Sequence, residues 1–389
     1  MSATTTAASA TSVETTSTPT CIPMTPNEVG YVPPGACGNI LMYEANFAAP
    51  VLFSVLFGLT TLAHIFQAFV FKKRYAWVVI MGALWELLAF IMRSLFAKNQ
   101  SKDAYNTPFT IFFLLAPIWV NAFLYMTLGR LIYFFIPGAR LGGLSAGRFG
   151  HIFIWLEILA FIVQLVGAGF TTDTEASTET IMRGVHIYMG GIGLQEAFIL
   201  IFTALFIHLQ RKMSAMERNG QLDTEKLCRG TIRWPWLFYA IYAALFLITV
   251  RIIFRLAQYA QGTDPNNPAL SNEWFEYVWD AAPMLFALVV LNVVHPGRVL
   301  QGPDSEFPRV SRKEKKQRKR EKKEAKLAEK EARKARKRHE KHGSPVDMLD
   351  AQERGAAIAG YNPGLPANGD SGGNQRTWYD AQGNEVRRW

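Results

Sequence analysis

Seven stretches of the chain are almost continuously apolar: Asn46 to Phe71, Tyr75 to Ala97, Phe109 to Ile136, Phe149 to Phe170, Val185 to His208, Trp234 to Ala257 and Phe275 to Pro296. Each reaches the length of about 20 residues that a helix needs to cross a hydrocarbon core, and none has the length of a strand. The pattern predicts an all-α membrane protein, a seven-transmembrane-helix bundle over residues 46–297. Pro117, Pro235 and Pro283 fall inside or at the edges of these runs, where neighbouring helices can satisfy the carbonyls that a proline leaves free. Kinks are expected at Pro117 and Pro283.

The polar segments between the runs set the expected orientation. One set of short loops holds 11 Lys and Arg, among them Lys72, Lys73, Arg74, Arg211 and Lys212, and the other holds 3, Lys98, Lys102 and Arg183. Positive loops mark the cytosolic side, so the amino terminus is expected outside and the carboxy terminus in the cytosol. Residues 1–45 then form an extracellular arm whose first 20 residues contain 12 Ser or Thr. Cys21 and Cys37 lie in its Pro/Gly-rich part and would pair in an oxidising compartment. Asn99, in Asn99-Gln100-Ser101, is an expected outward-facing glycosylation sequon.

Composition changes the picture at one end only. The formal charge of +10 resides in residues 309–341, where 18 Lys and Arg face 6 Glu, and the remainder carries −2. Residues 298–342 are expected to form a basic Lys/Glu helix in the cytosol, and residues 343–389 a tail without fixed structure. Such a tail suits a solvated or membrane-surface segment, so nucleic acid is not expected as a partner. Three cysteines and no His pair at ligand spacing give no metal site, and no motif calls for a cofactor.

Ionisable and amide side chains inside the apolar runs are the candidate chemistry, because a charge in hydrocarbon costs roughly 2.5 to 3.5 kcal/mol and so faces the protein interior. At about 1.5 Å of rise per residue, Glu86, Asn121, Glu157, Gln195 and Glu196 lie near mid-membrane. Arg93, Arg251, Asp280 and then Arg255 lie further out. Arg251 with Arg255, Glu86 with Arg93, Glu157 with Gln164, and Asn121 with Tyr125 each share a helical face. Arg251 and Asp280 sit at similar depth on consecutive runs, an expected ion pair. A mid-depth cavity of carboxylates and amides beneath arginines suits an amphiphile with a charged head group. The same groups would also serve as ties between helices, at about 0.6 to 2 kcal/mol each.

The order of residues in RIIFRLAQYAQG (Arg251 to Gly262), LSNEWFEYVWDAAPM (Leu270 to Met284) and HPG (His295 to Gly297) resembles the fungal lipid-translocating exporter family, the RTA-like proteins. Glu86, Arg93, the run from Ala116 to Arg130, Gln164, Gly167, Gly169, and Gly193 to Gln195 extend the resemblance to roughly residues 31–297. It departs at Glu157, where the family usually has Asp, and at Gln258, where it usually has Glu. The family includes aminocholesterol-resistance proteins and sphingoid long-chain-base exporters. The resemblance therefore implies a non-enzymatic plasma-membrane translocator of lipids or amphiphiles, contributing to lipid asymmetry and resistance to toxic amphiphiles. Glu86, Arg93, Asn121, Tyr125, Glu157, Gln164, Gln195, Glu196, Arg251, Arg255 and Asp280 are the expected binding or translocation residues.

A seven-helix receptor-like sensor or regulator of membrane lipid stress is the alternative. The third run ends in LGRLIYFF and the seventh lacks Asn-Pro-x-x-Tyr, so receptor motifs are missing. No Lys lies between Phe275 and Pro296 to hold retinal, and no nucleotide-binding motif occurs.

Overall fold

In the computed structural model, seven helices are long and apolar enough to cross a membrane. The structure describes residues 22–171, 177–260, 262, 266–307, 317, 320–321, 323–334, 378–379 and 385–386. The helices are α1 (Ala48–Phe71), α2 (Trp77–Lys98), α3 (Asp103–Phe135), α4 (Ala146–Thr171), α5 (Thr178–Arg218) and α6 (Trp234–Tyr259). The seventh, α7, joins a turn at Trp274–Glu276, a π-helical stretch at Tyr277–Ala281 and a regular part at Ala282–Val293. Each helix packs on the next in sequence and α7 returns to α1, closing a ring, while α3 also touches α5. α3 is apolar all round and is the most buried span, as expected for an interior helix.

Several ends differ from the apolar runs, because a run marks hydrocarbon and not the end of backbone hydrogen bonding. α3 begins at Asp103, six residues before its run, and α5 continues ten residues beyond His208. In that continuation Leu209, Met213 and Met216 are buried at helical spacing while the residues between, apart from Ala215, are polar, so the stretch is an amphipathic extension. α7 ends at Val293, three residues short of Pro296.

The prolines act as local backbone chemistry dictates. Pro235 sits in the first turn of α6, where its missing N–H costs nothing. Pro283 follows the π-helical stretch, in which Ala282 N–H donates to the Tyr277 carbonyl five residues back. The widened turn takes up the misfit of the ring, and it carries Asp280. α3 stays helical through Pro117, at the cost of the helical donor to the Phe113 carbonyl.

Two segments flanking the spans are tied to the bundle. Residues 22–47 are not a free arm: Gln100 ties down both backbone groups of Ala45, and Asn39 donates to the Val32 and Leu41 carbonyls. Asn99 caps α2 half-buried, and the Ser101 hydroxyl donates to the Gly30 carbonyl. Of the two arm cysteines, Cys37 is in a disulfide and Cys21 lies outside the described residues.

At the other end the basic helix does not start at 298. Residues 298–307 return along the bundle: Lys73 Nζ donates to Ser305 Oγ at 2.5 Å, Arg74 N–H donates to Glu306 at 3.0 Å, and Phe307 packs on Tyr133. Burial lowers the Lys73 ammonium from its ordinary range, with the Glu306 carboxylate opposing. A second unit spans Arg309–Trp389. In it residues 323–334 are helical, and Trp378–Tyr379 pairs antiparallel with Glu385–Val386, within the stretch expected to lack structure.

Candidate functional site

The bundle interior carries three polar layers, described here from the end that bears residues 22–47. In the first, Arg93 of α2 is 1% exposed although charged. Its Nη2 donates to Tyr43 Oη at 2.6 Å and lies 3.4 Å from Glu273 and 3.6 Å from Glu276. Tyr43 in turn donates to Glu276 at 3.2 Å, and Tyr277 to Glu273 at 2.8 Å. Burial, with the Glu276 carboxylate adding to it, pushes the Tyr43 phenol up, so this hydroxyl remains a donor at physiological pH. Sequence reasoning did not single out Tyr43, because it lies outside the apolar runs. Glu273 and Glu276 are legible as one acidic face with Asp280 from their spacing of three and four, although they are not among the expected binding or translocation residues.

The second layer centres on Asp280 of α7. Its two oxygens face two arginines of α6: Arg251 Nε donates to one, and Arg255 pairs with the other. Arg251 also reaches across the bundle, donating from Nη2 to the Phe113 carbonyl at 3.1 Å. That is the carbonyl left free by Pro117. Both guanidinium groups lie 5.0 Å from the centre of the Phe113 ring, which provides a cation-attracting face. The four-residue spacing of the arginines thus lets one carboxylate serve both.

The third layer lies near the middle of the helices. Gln164 of α4 donates to Gln195 of α5 at 2.9 Å. The helices approach closely there: a Cβ on Gly191 would sit 2.9 Å from the Gln164 backbone nitrogen, so only glycine fits. Glu157 of α4 accepts from Tyr125 at 2.5 Å and from Asn121 at 3.2 Å, both on α3. Glu196 accepts from Thr249 of α6 at 3.1 Å and is only partly buried. Glu86 is fully buried, and neither carboxyl oxygen has a hydrogen-bond partner among the described residues. The shared face of Glu86 and Arg93 does not become a pair, since Arg93 turns to α7 and the arm.

A cavity of about 290 Å³ opens between the first two layers. Its walls combine Tyr43, Arg93, Arg255, Gln258 and Glu276 with Phe109, Phe113, Tyr188 and Tyr259. A constriction of only about 20 Å³, lined by Pro117, Gln164, Gln195, Arg251 and Arg255, shares Leu114, Tyr188 and Arg255 with the wall of this cavity. The arrangement offers charge of both signs and an aromatic wall in one space, as an amphiphile requires. Gln258, where the resembling family usually has Glu, donates to the Ala269 carbonyl at 3.1 Å and lies 3.5 Å from Arg255. With no charge at Gln258, the layer sets two guanidinium groups against the one carboxylate of Asp280.

Comparison with known proteins agrees with this architecture. The family model described as RTA1 like protein matches residues 79–303, which hold all of the polar side chains above except Tyr43. A probable lipid transporter of Emericella nidulans, atnI, is 78% identical over 388 residues and the match covers all of both chains. The sphingoid long-chain base transporter RSB1 of Saccharomyces cerevisiae is 25% identical over 290 residues, 68% of this chain and 75% of its own. The lipid-translocating exporter-like protein RTA1 of Leptosphaeria maculans is 26% identical over 286 residues, 68% of this chain and 52% of its own. No solved structure matches. With the family model spanning six of the seven helices, this chain belongs to the RTA1-like proteins.

Proposed function

We propose that this protein is a lipid translocator that moves single-chain cationic amphiphiles, such as sphingoid long-chain bases, out of the inner leaflet. In this reading it acts in the plasma membrane, with residues 22–47 outside and residues 309–341 in the cytosol, as the loop charges favour. It works as a transporter and not an enzyme, and it protects against toxic amphiphiles by removing them. The names of its relatives support lipid as cargo. The observation that carries the reading is the cavity between Arg93 and Arg255, in which an aromatic wall and paired charges share one space.

Within this account Asp280, Glu273 and Glu276 hold the three arginines, and those arginines set the electrostatics of the cavity. Gln164 and Gln195 form the step between cavity and mid-depth. The test is release of a labelled long-chain base from cells that express the protein, cells that lack it, and cells that express Arg255→Ala at matched surface abundance. Faster release with the wild type, reduced by Arg255→Ala, supports the reading; equal release in all three contradicts it.

A further inference from the structure

Within the spans the described interior holds five carboxyl side chains, Glu86, Glu157, Glu196, Glu276 and Asp280, with Glu273 one residue before the last span, but three arginines at their level. Arg93 takes Glu273 and Glu276, and Asp280 takes Arg251 and Arg255. Of the other three, Glu86 still feels the charges of Arg251 and Arg255, and Glu196 is partly open. Glu157 differs from both. It is fully buried, and the groups facing it are Tyr125 and Asn121 from α3 and Gln195 and Glu196 from α5, with no Lys, Arg or His among them.

A lone buried carboxylate is costly, so a site of this kind is neutralised by a proton or by a cation that arrives from elsewhere. The hydrogen bonds around it show room for both. Tyr125 and Asn121 converge on Oε1 of Glu157, while among the described residues its Oε2 has no hydrogen-bond partner, and neither has Asn121 Oδ1 or Glu196 Oε2. All three are acceptors that lack a donor. A primary ammonium brings three N–H donors and a positive charge, and a carboxylic acid brings one O–H at Oε2. Gln195 links the place to the constriction, since it accepts from Gln164, lines the constriction and faces Glu157.

We propose that Glu157 is an exchange site for a proton and a primary ammonium head group, each excluding the other, so that amine moves one way as a proton moves the other. This rests on the reading of the protein as a carrier of cationic amphiphiles. On binding, the O–H bond of the Glu157 carboxylic acid breaks, its proton leaves to the water on the side to which the site is open, and the ammonium pairs with the carboxylate formed. On the opposite side the ammonium leaves and water returns a proton. One positive charge is exchanged for another, no electrons are transferred, and the site is never left as a bare buried anion.

The test uses the purified full-length protein in non-ionic detergent and a radiolabelled C12 primary alkylamine, whose amine, like that of lysine, titrates near about 10 and stays charged between about pH 5.5 and 7.5. Binding affinity is measured across that range, with proton release followed by an indicator dye in weak buffer. The exchange site predicts affinity that falls toward about tenfold for each unit of falling pH, and release approaching one proton per amine bound. Glu157→Gln abolishes both, and Glu157→Asp, which keeps the ionisable group, retains both; size-exclusion profiles and melting temperatures establish that the variants are folded. Affinity independent of pH with no proton released overturns the exchange while leaving amine carriage intact. The same pH slope in folded Glu157→Gln overturns the assignment to Glu157. No amine binding at any pH overturns the carrier reading itself and the exchange with it.

Discussion

Arg251 occupies the carbonyl that Pro117 frees: its Nη2 donates at 3.1 Å to the Phe113 oxygen, four residues before the proline, where a continuous helix would place its own N–H. The missing donor of α3 and the spare donor of α6 thereby satisfy each other in the buried interior of the bundle. On the other side of Arg251, the π-helical turn before Pro283 presents Asp280. Two prolines, on helices far apart in sequence, therefore prepare the two acceptors of one arginine.

Replacing Pro117 with Ala returns a helical donor to the Phe113 carbonyl and makes it compete with Arg251. The expected outcome is a protein whose melting temperature in detergent stays within a few degrees of wild type, since about one hydrogen bond is exchanged for another. Release of labelled long-chain base is expected to fall several-fold, because Arg251 lines the constriction. Unchanged release would show that the carbonyl does not position Arg251.

Asp280 is the single anion between two buried guanidinium groups, so its loss is expected to exceed the loss of either arginine. Breaking a buried ion pair by removing one partner costs about 3 to 5 kcal/mol, and Asp280→Ala strands two charges where Arg251→Ala strands none. The double variant Arg251→Ala with Asp280→Ala leaves Arg255 stranded and is expected to regain only part of the stability. Thermal unfolding followed by size exclusion ranks the variants. An Asp280→Ala protein as stable as Arg255→Ala would contradict the shared carboxylate.

Tyr43→Phe removes one hydroxyl that bonds both Arg93 and Glu276. The expected cost is about 1 to 3 kcal/mol at this partly buried position, confined to the attachment of residues 22–47. Limited proteolysis reads it as faster cleavage in that segment with an unchanged bundle core.

The carboxy-terminal boundary can be tested by truncation. Ending the chain after Phe307 keeps Ser305 on Lys73 and Phe307 on Tyr133, and is expected to give a monodisperse, membrane-inserted protein. Ending it after Gly297 removes both contacts and leaves Lys73 half-satisfied, with a lower melting temperature expected. Equal stability of the two truncations would mean that residues 298–307 contribute nothing.

What the sequence made legible follows the range of the physics involved. Seven spans are readable because hydrocarbon demands about 20 apolar residues whatever the neighbours are. The acidic and basic faces of α6 and α7 are readable because spacing alone puts Arg251 and Arg255, or Glu273, Glu276 and Asp280, on one side of a helix. Partner choice is another matter. Arg93 binds Glu273 and Glu276 across the ring and not Glu86 one turn pair away, a result of which helices touch and not of spacing within one helix. Tyr43 escaped notice for a related reason, since it lies in a Pro/Gly-rich stretch and gains its role only where the arm folds back on α2 and α7. The amphipathic extension of α5 was hidden because Leu209, Met213 and Met216 are separated mainly by polar residues that dilute any average over the window.

The central claim, that the protein itself carries cationic amphiphiles across a bilayer, is tested most directly with the purified full-length protein in liposomes. A fluorescent long-chain base is placed in one leaflet, and its arrival in the other is followed by loss of accessibility to a membrane-impermeant quencher. The account predicts transfer faster than in protein-free liposomes, slowed by Arg255→Ala, accelerated when the receiving side is the more acidic, because Glu157 takes up its proton there and releases it on the donor side, and slowed when that gradient is reversed. Transfer no faster than in protein-free liposomes, with folded protein in the membrane, would contradict it.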